Sequence, residues 1–307
     1  MPLVENTKST IVLHLSGLHL FHFDGAPCAQ RVRFVLGEKG LQRGREVKFD
    51  ADSLDAAQGQ DDHWVSRAVS LVKKENMTQS YADIHPNMVV PALVHDGQLI
   101  LESMDIIEYL DQAFGGDPFV PTDPAIREQT MALVQQAKEL HLSLRYVSFR
   151  WSLGRLAMLN AKENQNLKQL ASQGNDEENL VSFYDAYSSE GIPQSVFDDH
   201  LLKLYKAFNE LDTQLGDGRL YLMGDSISIA DVFWSMKILR LIETGYLFAE
   251  LHPHLFQWYQ RVYARPAFQN EVMAKNRMMN RLWRSKAAIE RAFGKGLNNA
   301  LLKLIAA

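Results

Sequence analysis

The stretch from Val89 to Phe114, VVPALVHDGQLILESMDIIEYLDQAF, places the tightest condition on any fold this chain can adopt. It reads as an apolar strand, a tight His-Asp-Gly turn, a partner strand and a helix. Ser103 heads the helix and Gly115-Gly116 stops it. The difficulty is Pro91, because a proline donates nothing to a strand ladder and is excluded from a central, fully paired position. A cis proline at the start of the strand resolves the conflict and leaves the neighbouring backbone edge at Val90 open to a ligand.

Upstream, Leu18 to Phe23 (LHLFHF) alternates as a half-buried strand does and ends at Asp24-Gly25. Pro27 suits a first helical turn. Ala29 to Lys39 then puts Val32, Val35 and Leu36 on one helical face before Gly40. A second strand is expected at Arg45 to Phe49. The segment from there to Pro91 is long, and Trp64, Ala68, Leu71 and Val72 recur at helical spacing, which predicts an extra helix in an insertion at about 53–83. The front of the chain, 18–116 behind an arm of 1–17, is therefore βαβ followed by ββα. After the connector 117–123 (DPFVPTD) strand patterns disappear. A helical pattern runs from about 124 to 160, Asn164 to Gly191 is polar and irregular, and Gln194 to Leu215 is strongly amphipathic. The expectation is an α+β chain of two domains, the second all-helical over 124–271. The length of 307 residues fits two cores better than one.

Composition removes several functions. A formal charge of -5 gives no general attraction to nucleic acid. The sequence opens without a basic and then apolar leader and holds no run near the roughly 18 apolar residues of a membrane span, so a cytoplasmic location is expected. The single cysteine, Cys28, excludes internal disulfides and multi-cysteine metal sites. His252 and His254 flank Pro253 in what reads as a surface turn, and no metal site is expected.

The order VVPALV, HDG, LILES, MDIIEYLDQAF resembles the glutathione-binding motif of the glutathione transferase family, in which a cis-proline strand is followed by a hairpin and a Glu/Gln-Ser pair at a helix start. Pro91, Glu102 and Ser103 occupy those positions. Gly224 to Trp234 (GDSISIADVFW) is similar to the family's buried capping motif, with Ser228 and Asp231 in a capping-box relation. With GAPCAQRVRF and RVYARPAF, the resemblance spans roughly Leu18 to Phe268. It implies a thioredoxin-like front domain, an all-helical rear domain and glutathione as cosubstrate. The physical reasons stand beside it. Val90 can bond a peptide's backbone as another strand would, Ser103 can hold the γ-glutamyl carboxylate at a helix N-terminus, and Glu102 can take the ammonium.

Such an enzyme must hold glutathione's thiol as thiolate, which means lowering a thiol pKa by roughly 2 to 3, worth about 3 to 4 kcal/mol. Family members place Tyr, Ser or Cys between the first strand and first helix. Here that segment is HFDGAPCAQ, without Ser or Tyr, and Cys28 follows the proline where cysteine-using subfamilies place it before. The candidates are Cys28 on the first helical turn, His22 at the strand end, and the backbone amides of Ala26 and Cys28. Tyr146, Phe149 and Trp151 are candidates to line an acceptor pocket, set against the plain reading of an aromatic core.

Beyond Phe268, Lys275 to Lys303 carries eight basic residues against Glu290 alone, with Met278, Met279, Leu282, Trp283 and Phe293 as apolar partners. This extension, within 272–307, reads as a basic amphipathic helix. Docking on its own domain with a solvated basic face is preferred over membrane contact. The expected function is attack of glutathione thiolate on an aromatic electrophile. The resemblance extends to conjugating transferases, β-aryl ether lyases and dehalogenases alike. The competing expectation is a noncatalytic binding or membrane-adaptor subunit. The family implies a dimer, with a second copy or a related chain.

Overall fold

A computed structural model describes residues 4, 7–51, 62–153, 158–173, 180–189 and 191–306. Two compact units emerge: Met1–Asp117 with Met158–Gly191, and Pro118–Ala157 with Ile192–Ala307.

The first unit is built on β1 (Leu18–His22), α1 (Pro27–Glu38), β2 (Gln42–Lys48), β3 (His63–Ala68), the short α2 (Gln79–Ala82), β4 (Ala92–His95), β5 (Gln98–Ile100) and α3 (Ser103–Ala113). Its sheet order is β2-β3-β1-β4-β5, with β1 and β2 both parallel to β3 and β4 antiparallel to β1 and β5. This is the thioredoxin-like order with one strand added at the edge. The second strand read from sequence is that edge strand, and its pairing with β3 slips between Arg43 and Glu46.

The extra helix expected around Trp64 is corrected to β3. This strand is buried on both faces from Trp64 to Arg67, so it lacks the alternation that marks a half-exposed strand. Its polar members are paired inside. Ser66 Oγ meets His22 Nε2 at 2.8 Å, and Arg67 donates to the carbonyls of Phe49 and Ala51 at 3.0 and 3.2 Å. The first part of the expected insertion, 52–61, lies outside the described residues.

Local chemistry explains the other boundaries. Pro27 opens α1 at a position whose N–H would be unpaired anyway, and Gly40 closes it with φ +76°, letting Leu41 N–H reach back to Leu36 O at 2.9 Å. The β4–β5 turn places Asp96 and Gly97 at φ 49° and 78°, the left-handed pair that matches the twist of a two-residue hairpin. Helices α1 and α3 pack side by side and run parallel: Arg31 lies 3.5 Å from Ser103 at one end, and Lys39 Nζ meets Asp111 at 2.7 Å at the other.

Residues 158–191 belong to this unit, and the polarity that suggested irregular chain instead covers two helices, α6 (Ala161–Ala171) and α7 (Leu180–Ser189). A capping box between Asn160 and Glu163 starts α6, and Asn166 donates to Met77 O at 2.6 Å.

In the second unit, α4 (Pro124–Glu139) and α5 (His141–Ser148) precede a π-turn at Phe149–Leu153. They are followed by α8 (Gln194–Leu215), α9 (Ile229–Glu243), the short α10 (Phe248–Leu251), α11 (Pro253–Tyr263), α12 (Arg277–Ala292) and α13 (Leu297–Ile305). α9 is buried nearly all round, as a central helix must be. The expected capping box of Ser228 and Asp231 starts it, and the Asp231 carboxylate also accepts from Leu222 N–H at 2.9 Å and Trp258 Nε1 at 2.7 Å. Burial pushes this carboxyl's pKa up, against the pull of its donors. His252, expected on a surface turn, is buried instead, with Nε2 2.8 Å from Tyr246 Oη.

Candidate functional site

The segment leading into β4 supplies the first half of the site. The Val90-Pro91 peptide is cis, as expected. Two residues that sequence reasoning missed hold the approach to it: Asn76 Nδ2 donates to Met88 O at 2.8 Å, and the buried Tyr81 hydroxyl donates to Val89 O at 2.7 Å. Met88 N–H closes onto His85 O, and Met88 itself sits at φ 53°, a left-handed conformation rare for its type. The backbone of Val90 has no hydrogen-bond partner among the described residues. An extended peptide can therefore pair there.

The parallel packing of α1 and α3 supplies the second half. Ser103 is the first residue of α3, with the exposed Glu102 as its N-cap, and Cys28 sits on the first turn of α1. Arg31, one turn along from Cys28, spans both: its Nη1 is 3.6 Å from Cys28 Sγ and 3.5 Å from Ser103 Oγ. Two helix N-termini and a buried guanidinium thus meet at one place, which favours carboxylates and a thiolate. Sequence held one signal for Arg31, its i, i+3 relation to Cys28. Its other partner comes from α3, 72 residues on.

The amides named from sequence need one correction. Ala26 N–H is spent on Phe23 O at 3.1 Å, closing the turn into α1. With Pro27 lacking an N–H, Cys28 and Ala29 are the first-turn amides without an acceptor among the described residues.

His22 sits in a buried polar cluster. It is 1% exposed, its Nε2 faces Ser66 Oγ at 2.8 Å, and Arg33 Nη1 points at its Nδ1 at 3.2 Å. Because a guanidinium only donates, the ring accepts at Nδ1 and carries its proton on Nε2. Asp24 gathers Arg33 at 3.3 Å and Arg43 at 2.9 Å beside it. This cluster fixes the turn that aims α1.

In the helical unit Tyr146 stacks on His200 at 4.5 Å between centroids, and Phe149 begins the π-turn. Trp151 lines a cavity of about 480 Å³ together with Arg150, Phe197, Asp198, Lys295 and Lys303. Arg150 lies over the Phe197 ring at 4.4 Å. Among the described residues no group of His, Cys, Asp and Glu could hold a metal ion, and no helix is long and apolar enough to cross a membrane.

A cis-proline edge beside two joined helix N-termini, on a thioredoxin-like sheet accompanied by a helical unit, defines a glutathione-binding protein. The chain belongs to the glutathione S-transferase superfamily: residues 20–118 match the family model of the N-terminal domain and residues 194–261 that of the C-terminal domain. It is 28% identical to glutathione S-transferase 1 of Dianthus caryophyllus over 75% of this chain and 79% of the relative. It is 24% identical to the 2,5-dichlorohydroquinone reductive dechlorinase of Sphingobium indicum over 83% of this chain and 82% of that one. Among solved structures, beta-etherase LigF from Sphingobium sp. strain SYK-6 superposes with a TM-score of 0.66 at 23% identity, covering 83% of this chain and 98% of LigF. The chain is a glutathione S-transferase-like enzyme with glutathione as cosubstrate.

Proposed function

We propose that this enzyme cleaves a carbon–oxygen or carbon–halogen bond in an aromatic small molecule, with glutathione thiolate as nucleophile. The observation that carries the reading is the site's composition: a peptide-binding edge and joined helix N-termini, with no hydroxyl in the β1–α1 turn to activate sulfur. Val90 pairs with the backbone of glutathione, Ser103 and the N-terminus of α3 hold its γ-glutamyl carboxylate, and Glu102 takes its ammonium. The free amides of Cys28 and Ala29, with Arg31 beside them, stabilise the thiolate. His22 serves by holding the β1 end.

The thiolate then displaces the leaving group, an aryloxide in-line from a saturated carbon or a halide from an activated ring by addition and elimination: one C–S bond forms, one C–O or C–X bond breaks, and the leaving group departs with the electron pair. Tyr146, Phe149 and Trp151 supply aromatic surface for the acceptor. The names of two relatives, a beta-etherase and a chlorinated-hydroquinone dechlorinase, support an aryl substrate.

Mass spectrometry after incubation with glutathione and a panel of β-aryl ethers, chlorinated hydroquinones and 1-chloro-2,4-dinitrobenzene tests the reading. The expected product is a glutathione adduct lacking an aryloxide or halide, or the dehalogenated arene together with glutathione disulfide where a second glutathione thiolate takes the sulfur from the adduct and the ring carbon takes a proton. Turnover confined to Michael acceptors, to which the thiolate adds with no bond to oxygen or halogen broken, overturns it.

A further inference from the structure

Helix α12 is amphipathic the wrong way round. Its buried residues are Asn280 and Ala287, a polar and a small side chain one heptad apart. At about 100° per residue, Met278, Leu282 and Ile289 fall on the opposite face, with Phe293 extending the row just past the helix end. They are exposed by 73, 57, 60 and 75% respectively. Isolated exposed apolar residues are ordinary, but a row of four large ones on one helix face marks a contact surface. The docked helix expected from sequence keeps its solvated basic face, and it shows solvent an apolar row as well.

The charges on one side of the row say what it contacts: by the same spacing Arg281 lies about 80° round from it and Arg277 about 120°. Arg277, Arg281, Arg291, Lys275 and Lys295 are all exposed and form no ion pair among the described residues. Lys286, half-buried, is engaged by Trp151 O at 2.7 Å and by Glu290, the one acidic residue of the segment. A chain of net charge -5 therefore carries a concentrated positive surface here. A second copy of this helix would bring arginine against arginine. A nucleic acid would use the arginines but leave the apolar row in water. A bilayer with anionic headgroups satisfies both, taking the row into the headgroup–acyl boundary and the basic side of the helix against phosphate.

We propose that α12 lies in the plane of an anionic membrane surface and holds this enzyme there peripherally, a property beyond the glutathione chemistry proposed above. No described helix is suited to spanning, so attachment is reversible and sensitive to salt.

Vesicle flotation of the full-length protein tests this, with vesicles of phosphatidylcholine alone and of phosphatidylcholine with 30% phosphatidylglycerol. The expected result is binding to the anionic vesicles at least tenfold above the neutral ones, lost in high salt. At roughly fivefold per basic residue, Arg277→Glu with Arg281→Glu lowers binding by about 25-fold or more. Leu282→Glu with Phe293→Glu abolishes it while circular dichroism and gel-filtration volume stay unchanged. All four positions are exposed, so these variants fold.

No binding to anionic vesicles overturns the proposal, as does binding unaffected by either pair. A wild-type assembly that Leu282→Glu with Phe293→Glu breaks into smaller species overturns it in favour of a subunit interface. Loss of an acidic protein partner with vesicles unbound overturns it in favour of a protein groove.

Discussion

Replacing Asp231 with asparagine asks whether a buried charge holds the helical unit together or merely survives in it. The carboxylate accepts four bonds: Leu222 N–H and Trp258 Nε1 on Oδ1, and Ser228 N–H and Oγ on Oδ2, at 2.7 to 2.9 Å. An amide keeps one acceptor oxygen. Turned the better way, its NH2 faces Ser228, whose hydroxyl can rotate to accept while the backbone N–H is orphaned, and the other two bonds lose their charge. One orphaned buried donor costs about 1–3 kcal/mol, and two bonds weakened from charged to neutral add about 0.5–1 kcal/mol each. The expected loss is about 2–5 kcal/mol. Burial, which pushes this carboxyl's pKa up, works in the other direction, since removing the charge also removes its desolvation cost.

The measurement is urea unfolding followed by tryptophan fluorescence. Of the five tryptophans, Trp151, Trp234, Trp258 and Trp283 lie in this unit, so the signal reports on it. Asp231→Ala, which leaves every donor without an acceptor, should fall further than asparagine. An Asp231→Asn protein within about 1 kcal/mol of wild type would refute the reasoning, because desolvation would then balance the four bonds.

Arg31→Met keeps the aliphatic stem and removes the charge between the two helix starts. The KM for glutathione should rise tenfold or more, on the scale of a lost charged hydrogen bond, about 1.5–3 kcal/mol, with the fold intact by circular dichroism; an unchanged KM removes Arg31 from the site. Cys28→Ala should retain turnover, because the backbone amides remain; a loss beyond about a hundredfold, the scale of a catalytic side chain, would make the thiol itself essential. His19, His85 and His252 are buried, and burial pushes each imidazole's pKa down to about 4 from 6.5. The folded state keeps them neutral while the unfolded chain takes up protons below pH 6.5. Stability is therefore full above that value and falls as pH drops toward 4, by about 1.4 kcal/mol per pH unit for each imidazole. Thermal melts at pH 7, 6 and 5 should show a steepening decline that His85→Gln lessens; a flat profile contradicts the assignment.

The parts of the site readable from sequence are those encoded locally. Pro91, the Asp96-Gly97 turn and Ser103 each depend on a backbone requirement that only a few residue types meet, so they can be recognised without their surroundings. The same holds for Ser228 and Asp231, a box three residues wide. β3 was hidden because its partners come from both sides: Ser66 and Arg67 look like surface residues until His22 and the carbonyls of Phe49 and Ala51 are placed beside them. Arg31 and Tyr81 were hidden for a related reason, since each is defined by a partner on another element. The helices of 158–191 were obscured by polar outer faces, with Leu167, Leu170, Leu180 and the aromatics Phe183, Tyr184 and Tyr187 turned inward.

The parallel run of α1 and α3 bears on how fast this enzyme can fill. Side-by-side dipoles add, so the end bearing Cys28 and Ser103 is the positive pole of the sheet unit, and the end where Lys39 clasps Asp111 is the negative one. A small anion diffusing past a chain of net negative charge is drawn to that pole before any contact forms. The capture rate for glutathione should accordingly fall with ionic strength even where the equilibrium contacts of the bound peptide do not change.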